Sequence, residues 1–190
     1  MKKFWKTLTD SWWGNILLGF AAAVIFYYVV LVNVLSSSTP VVAVVSGSMY
    51  HGPSDGKQIC GIAIDGFKQF DDYWKICGET YEEFGITKEQ FASFNFKDGF
   101  GVGDMPVVKG EGTYMVGDII VYSVQGINAP IIHRIVKING DGTYQTKGDN
   151  NNGQNPYEYS VSPSQIKGKV IFIIPKIGYF KVLTTRLFGV

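Results

Sequence analysis

Apolar and polar positions fall into distinct patterns along the chain. From 16 to 35 the residues are almost continuously apolar, 20 in a row with Asn33 the only clearly polar side chain. About 20 such residues cross the hydrocarbon core of a bilayer as a helix. Lys2, Lys3 and Lys6 precede the run against the single acid Asp10, and Trp5, Trp12 and Trp13 stand where an interfacial aromatic belt belongs. Flanking lysines stay on the cytoplasmic side, so the pattern predicts a cytoplasmic N-terminus and an external remainder. The apolar core of a cleaved signal peptide is shorter, about 7–15 residues. The run therefore reads as a retained anchor rather than a leader cut at the small residues Ser36 to Ser38.

Beyond the anchor the periodicity changes. Val41, Val42, Val44 and Val45 follow Pro40 and predict a strand over 39–46. Further strands are predicted at 105–108, 118–124, 130–138, 143–146 and 169–174. The turns between them carry glycine, as in Gly126-Ile127-Asn128, Asn139-Gly140-Asp141-Gly142 and Gly148-Asp149-Asn150. Several short strands so punctuated imply an all-β barrel or sandwich. Residues 50–100 differ in kind, with Asp71, Asp72, Glu79, Glu82, Glu83 and many aromatics. Thr80 with Glu83, and Thr87 with Gln90, have the spacing of helix-starting capping boxes. Short helices inserted between strands are predicted there, as a surface decoration. The end, 177–190, is apolar with Lys181 and Arg186 interspersed. It either lies on a membrane surface or caps the core.

Composition adds limits. A net charge of +1 leaves no electrostatic footprint for nucleic acid. Cys60 and Cys77 are the two cysteines, and outside the cytosol a disulfide between them is permitted. Spacing alone leaves free thiols equally open. No CxxC or HExxH pattern is present, so no metal is expected. Asp149 does not open a calcium loop, because glycine is missing at its sixth position and glutamate at its twelfth.

Candidate chemistry centres on Ser46-Gly47-Ser48-Met49. The predicted strand runs into it, and two hydroxyls two residues apart are presented at a turn. A serine needs a neighbouring base before it attacks, while a second hydroxyl and backbone N–H groups suit an oxyanion. His133, in Ile131-Ile132-His133-Arg134-Ile135, is the base candidate of the strand region. Asp149 is the candidate for orienting its ring.

The order of these motifs is specific as a set. The N-terminal span, Val45-Ser46-Gly47-Ser48-Met49, Gly117-Asp118-Ile119-Ile120-Val121-Tyr122, Ile132-His133-Arg134-Ile135 and Thr146-Lys147-Gly148-Asp149-Asn150-Asn151 follow one another. The series resembles the signal peptidase I family, in the form found in archaea and in the endoplasmic-reticulum complex. The resemblance covers the anchor and the β domain, and residues 50–100 are an insertion relative to its short members. It implies a mainly β fold: a signal-peptidase-like β domain with a helical insertion, tethered by one N-terminal transmembrane helix. The expected division is a tail at 1–15, the anchor at 16–35, the external β domain at 36–176 and the terminal segment at 177–190.

The resemblance further implies Ser48 as nucleophile, Ser46 and the Ser48 backbone as oxyanion donors, and His133 where bacterial relatives have a lysine. The implied activity is removal of signal peptides from secretory precursors by cleavage after small residues, without a cofactor, at the cell membrane. The implied partners are those precursors, the lipid bilayer and the translocation machinery. One position departs from the family pattern. A second acid is expected six residues beyond Asp149, and Asn155 stands there. Asp149 is the preferred third member of the triad; Glu158 reaching in, or an inactive chain, are the alternatives. Another membrane-tethered serine peptidase on the same fold, or a non-enzymatic anchored surface protein, are the rival functions.

Overall fold

A computed structural model describes residues 9–52, 58–63, 70–110 and 112–179. Lys2, Lys3, Trp5, Lys6 and nearly all of 177–190 lie outside the described residues. Helix α1, Trp12–Val34, is long and apolar enough to cross a membrane, and none of its most apolar stretch is buried by the rest of the chain. Phe26–Leu31 is wound as a π-helix. Asn33 donates to the carbonyls of Tyr28 and Val29, at 3.1 and 2.9 Å. The one polar side chain of the run is thus satisfied within its own helix, as an apolar solvent requires.

Next come a small hairpin, β1 (Gln58–Ile59) and β2 (Ile62–Ala63), and two helices, α2 (Phe70–Glu82) and α3 (Lys88–Ser93). Five strands follow: β3 (Met105–Lys109), β4 (Ile119–Tyr122), β5 (Ile131–Ile138), β6 (Tyr144–Lys147) and β7 (Ile166–Ile174). They form one antiparallel sheet in the order β3-β7-β4-β5-β6. The chain is therefore an N-terminal apolar helix followed by a mostly antiparallel β domain with a small helical insertion, as expected.

Two local expectations are corrected. Residues 39–46 do not form a regular strand. They run alongside β3, with Val42 and Val44 donating to the carbonyls of Pro106 and Asp104, and Val41 makes one isolated bridge to Val107. Thr80 does not start a helix. It lies inside α2 and donates to the Cys77 carbonyl at 2.7 Å, because Tyr73, Trp74, Cys77 and Tyr81 carry a buried face through it. Thr87 does open α3, with the reciprocal capping box its spacing predicts.

Both faces of the sheet centre are covered. Successive strand residues point to opposite faces. On one face Ile132 and Val121 pack with Val42, Met49 and Phe100, and Val136 packs with the insertion's Tyr81 and Phe91. On the other, Ile131, Ile135 and Tyr122 pack under Tyr157 and Val161. The Cys60–Cys77 disulfide forms, tying the hairpin turn to α2. The insertion is thus part of the core and not a surface decoration.

Candidate active site

The register of β5 against β6 organises the site. Arg134 lies opposite Lys147, so His133 comes level with Gly148. A methyl group added at Gly148 would lie 2.8 Å from His133 Nε2 and 2.6 Å from Asn151 Nδ2. Glycine therefore leaves the space in front of the imidazole open. Strand parity sends Asp149 to the face of Arg134, opposite His133.

His133 is buried and has a partner at each ring nitrogen. Its Nε2 is 3.1 Å from Ser48 Oγ, and its Nδ1 is 2.5 Å from Glu158 Oε1. Ser46 Oγ lies 3.2 Å from Ser48 Oγ. Glu158 arrives on a short 3-10 turn, Pro156–Glu158, opened by Asn155. Its second oxygen accepts from the Asn155 backbone N–H at 2.7 Å and from Asn155 Nδ2 at 2.8 Å. Burial pushes the Glu158 carboxyl up, but His133 and the two Asn155 donors outweigh it and hold it below its ordinary value.

The expectation that Asp149 orients His133 is corrected by this geometry. Asp149 is fully buried and its carboxylate is occupied elsewhere. Arg134 Nε donates to Oδ1 at 3.0 Å and Arg134 NH2 to Oδ2 at 2.7 Å. Tyr81 donates its hydroxyl to Oδ1 at 2.8 Å, and His51 Nε2 lies 2.8 Å from Oδ2. Burial works against the charge of Asp149, yet Arg134 and His51 hold its carboxyl well below the usual range. His51 stacks on Tyr73 at 3.8 Å between centroids, and Tyr73 donates to the Asp149 carbonyl at 2.9 Å. Lys147, also buried, donates to the Gly148 carbonyl at 3.2 Å, and burial pushes its ammonium down to about 8.

This second cluster braces the first. Asn150, next to Asp149, donates its backbone N–H to the Ser48 carbonyl at 2.7 Å and its side chain to the Gly47 carbonyl at 3.3 Å. Its side-chain oxygen accepts from the Cys60 N–H at 3.0 Å. Sequence reasoning missed His51, Tyr73, Tyr81 and Asn150. Arg134 carried a signal: an arginine in the middle of a buried strand needs a carboxylate, and Asp149 was at hand. No metal-binding group of His, Cys, Asp or Glu occurs among the described residues.

A serine hydroxyl, an imidazole and a buried carboxylate in line are the side-chain arrangement of serine hydrolases, here on a β domain behind an apolar helix. The chain is homologous to the catalytic subunit of the signal peptidase complex, the endoplasmic-reticulum type of signal peptidase I. It is 41% identical over 79 residues to "Signal peptidase complex catalytic subunit SEC11" of Colletotrichum graminicola, covering 37% of this chain and 46% of that one. The subunits of the same name from Leptosphaeria maculans and Scheffersomyces stipitis are each 37% identical, over 81 and 80 residues, with 47% and 48% of their lengths matched. The chain thus spans about half the length of the curated relatives it matches. These relatives are fungal and support the endoplasmic-reticulum side of the resemblance, not the archaeal one. No family model matches the chain.

Proposed function

We propose that this chain is a membrane-anchored serine endopeptidase that removes signal peptides from secretory precursors, cutting after small residues. What carries the reading is the line from Ser48 Oγ through His133 to Glu158. His133 Nε2 accepts the proton of Ser48, whose oxygen attacks the carbonyl carbon before the cut. The Ser48 N–H and the Ser46 hydroxyl stabilise the oxyanion. His133 then gives the proton to the leaving amine as the peptide C–N bond breaks, leaving an acyl group on Ser48. A water then passes a proton to His133 as its oxygen bonds the acyl carbon, and His133 returns that proton to Ser48 Oγ as the ester bond breaks and the acid leaves. Glu158 fixes the imidazole tautomer and stabilises the charged ring, the role the sequence reading gave to Asp149. No cofactor enters these steps.

Helix α1 is the proposed single-pass anchor, with the N-terminus cytoplasmic and the β domain beyond the membrane that secretory precursors cross. A bonded Cys60–Cys77 pair fits that compartment. The proposed partners are the precursors, the bilayer and the translocation machinery. The test is cleavage of a secretory precursor by the full chain in liposomes. Ser48→Ala and His133→Ala are expected to slow it by about four orders of magnitude or more. Cleavage by Ser48→Ala at the wild-type rate sinks the reading.

A further inference from the structure

Beside the Ser48–His133 pair runs a polar groove of about 600 Å³ lined by Gly61, Asn150, Asn151, Asn152, Gln154 and Asn155. Three of its carboxamides are engaged in holding the chain: Asn150 on Gly47, Gln154 on the Thr146 carbonyl, and Asn155 on Glu158. Asn151 and Asn152 make no side-chain hydrogen bond among the described residues. Asn151 Nδ2 is the lining group nearest to hand for His133, since one methyl group placed on Gly148 would lie 2.6 Å from it and 2.8 Å from His133 Nε2. Asn152 lies further along, packed on Gly61 of the disulfide hairpin.

We infer that this groove is the subsite for the polypeptide on the far side of the cut, the departing mature chain, held in extended form by Asn151 and Asn152. The inference rests on the proposed peptidase activity. The leaving amine takes its hydrogen from His133 Nε2, so the new N-terminus departs from beside that nitrogen, and Asn151 of the groove lies across Gly148 from it. A carboxamide both donates and accepts, which matches a peptide backbone whatever side chains it carries. Such a lining suits a partner whose sequence differs from one precursor to the next. It gives the site a hold on the mature chain as well as on the signal peptide.

The test uses two substrates with the same signal segment up to the cut. One continues as a mature polypeptide, and the other ends in an aryl amide leaving group. Both are assayed with the full-length chain in detergent. In wild type, the ratio of kcat/KM values is expected to favour the polypeptide. In Asn151→Leu and Asn152→Leu that ratio is expected to fall roughly three- to tenfold for each lost hydrogen bond. Asn152 is exposed, so Asn152→Leu retains the fold and carries the test should Asn151→Leu prove unstable. An unchanged ratio in a folded Asn152→Leu overturns the groove assignment while leaving the peptidase reading intact. Failure of wild type to cleave either substrate overturns both.

Discussion

His133 and Arg134 are neighbours in sequence that serve two different carboxylates. One faces Glu158 and the other Asp149, because adjacent residues on a strand point to opposite sides of the sheet. The consequences of removing each acid differ in kind. Glu158→Gln keeps a hydrogen-bonding group on His133 but removes its counter-charge. Turnover on a precursor is expected to fall by about a hundredfold to ten-thousandfold, with little change in melting temperature. Asp149→Ala strands Arg134 in the interior. Its expected effect is a loss of about 3–5 kcal/mol of stability, a drop in Tm on the order of 10 °C by calorimetry. A Glu158→Gln enzyme with wild-type turnover rules out the proposed role of that residue. Asn155 sharpens the distinction. Asn155→Asp would set a second carboxylate against Glu158 Oε2 and remove the side-chain donor. Precursor cleavage is expected to fall roughly tenfold; a rise would mark 155 as the position of the working acid.

At the scale of elements, the insertion is the surprise and the strands are not. Five of the six predicted strands appear with ends shifted by a few residues, since alternating β-branched residues and glycine turns are local signals. Residues 39–46 were legible as extended chain but not as to what they pair with, because pairing is decided by partners distant in sequence. Asp149 was preferred to Glu158 as the acid at His133 for a related reason. The parity that carries Asp149 away depends on the β5–β6 register, which no single segment contains. Glu158 left a local trace, since Asn155-Pro156-Tyr157-Glu158 has the cap, proline and acid of a helix start. The role of α2 was hidden because its aromatics look like any amphipathic face until Tyr73 and Tyr81 are seen to reach Asp149. The disulfide closes a loop with a sequence separation of 17, worth about 3 kcal/mol by loop entropy. Cys60→Ser with Cys77→Ser is therefore expected to lower Tm. It should also slow precursor cleavage, since the Cys60 N–H holds Asn150 and Asn150 holds the Ser48 carbonyl. A folded double variant with wild-type turnover would separate the hairpin from the site.

For the molecule as a whole, the joint between helix and sheet matters most. The Leu35 carbonyl at the end of α1 accepts from the Gly110 N–H at 2.7 Å, and Ser37 donates its hydroxyl to the Lys167 carbonyl at 3.1 Å. A methyl group on Gly110 would fall 1.8 Å from the Ser36 carbonyl oxygen, so only glycine admits this approach. Gly110→Ala is expected to separate the two parts and to slow cleavage of a membrane-inserted precursor more than cleavage of a soluble peptide. Equal slowing of both would place the effect in the β domain itself.

That joint turns the anchor into a ruler. Were α1 connected by slack chain, Ser48 would sample every height its tether allowed, and any accessible peptide near the bilayer would be within reach. Fastened at Leu35 and Ser37, it hovers at one altitude. For the proposed peptidase, a precursor would then be sorted by geometry before it is sorted by sequence: the small residues at its cut would have to surface at that altitude, and segments emerging higher or lower would pass unharmed.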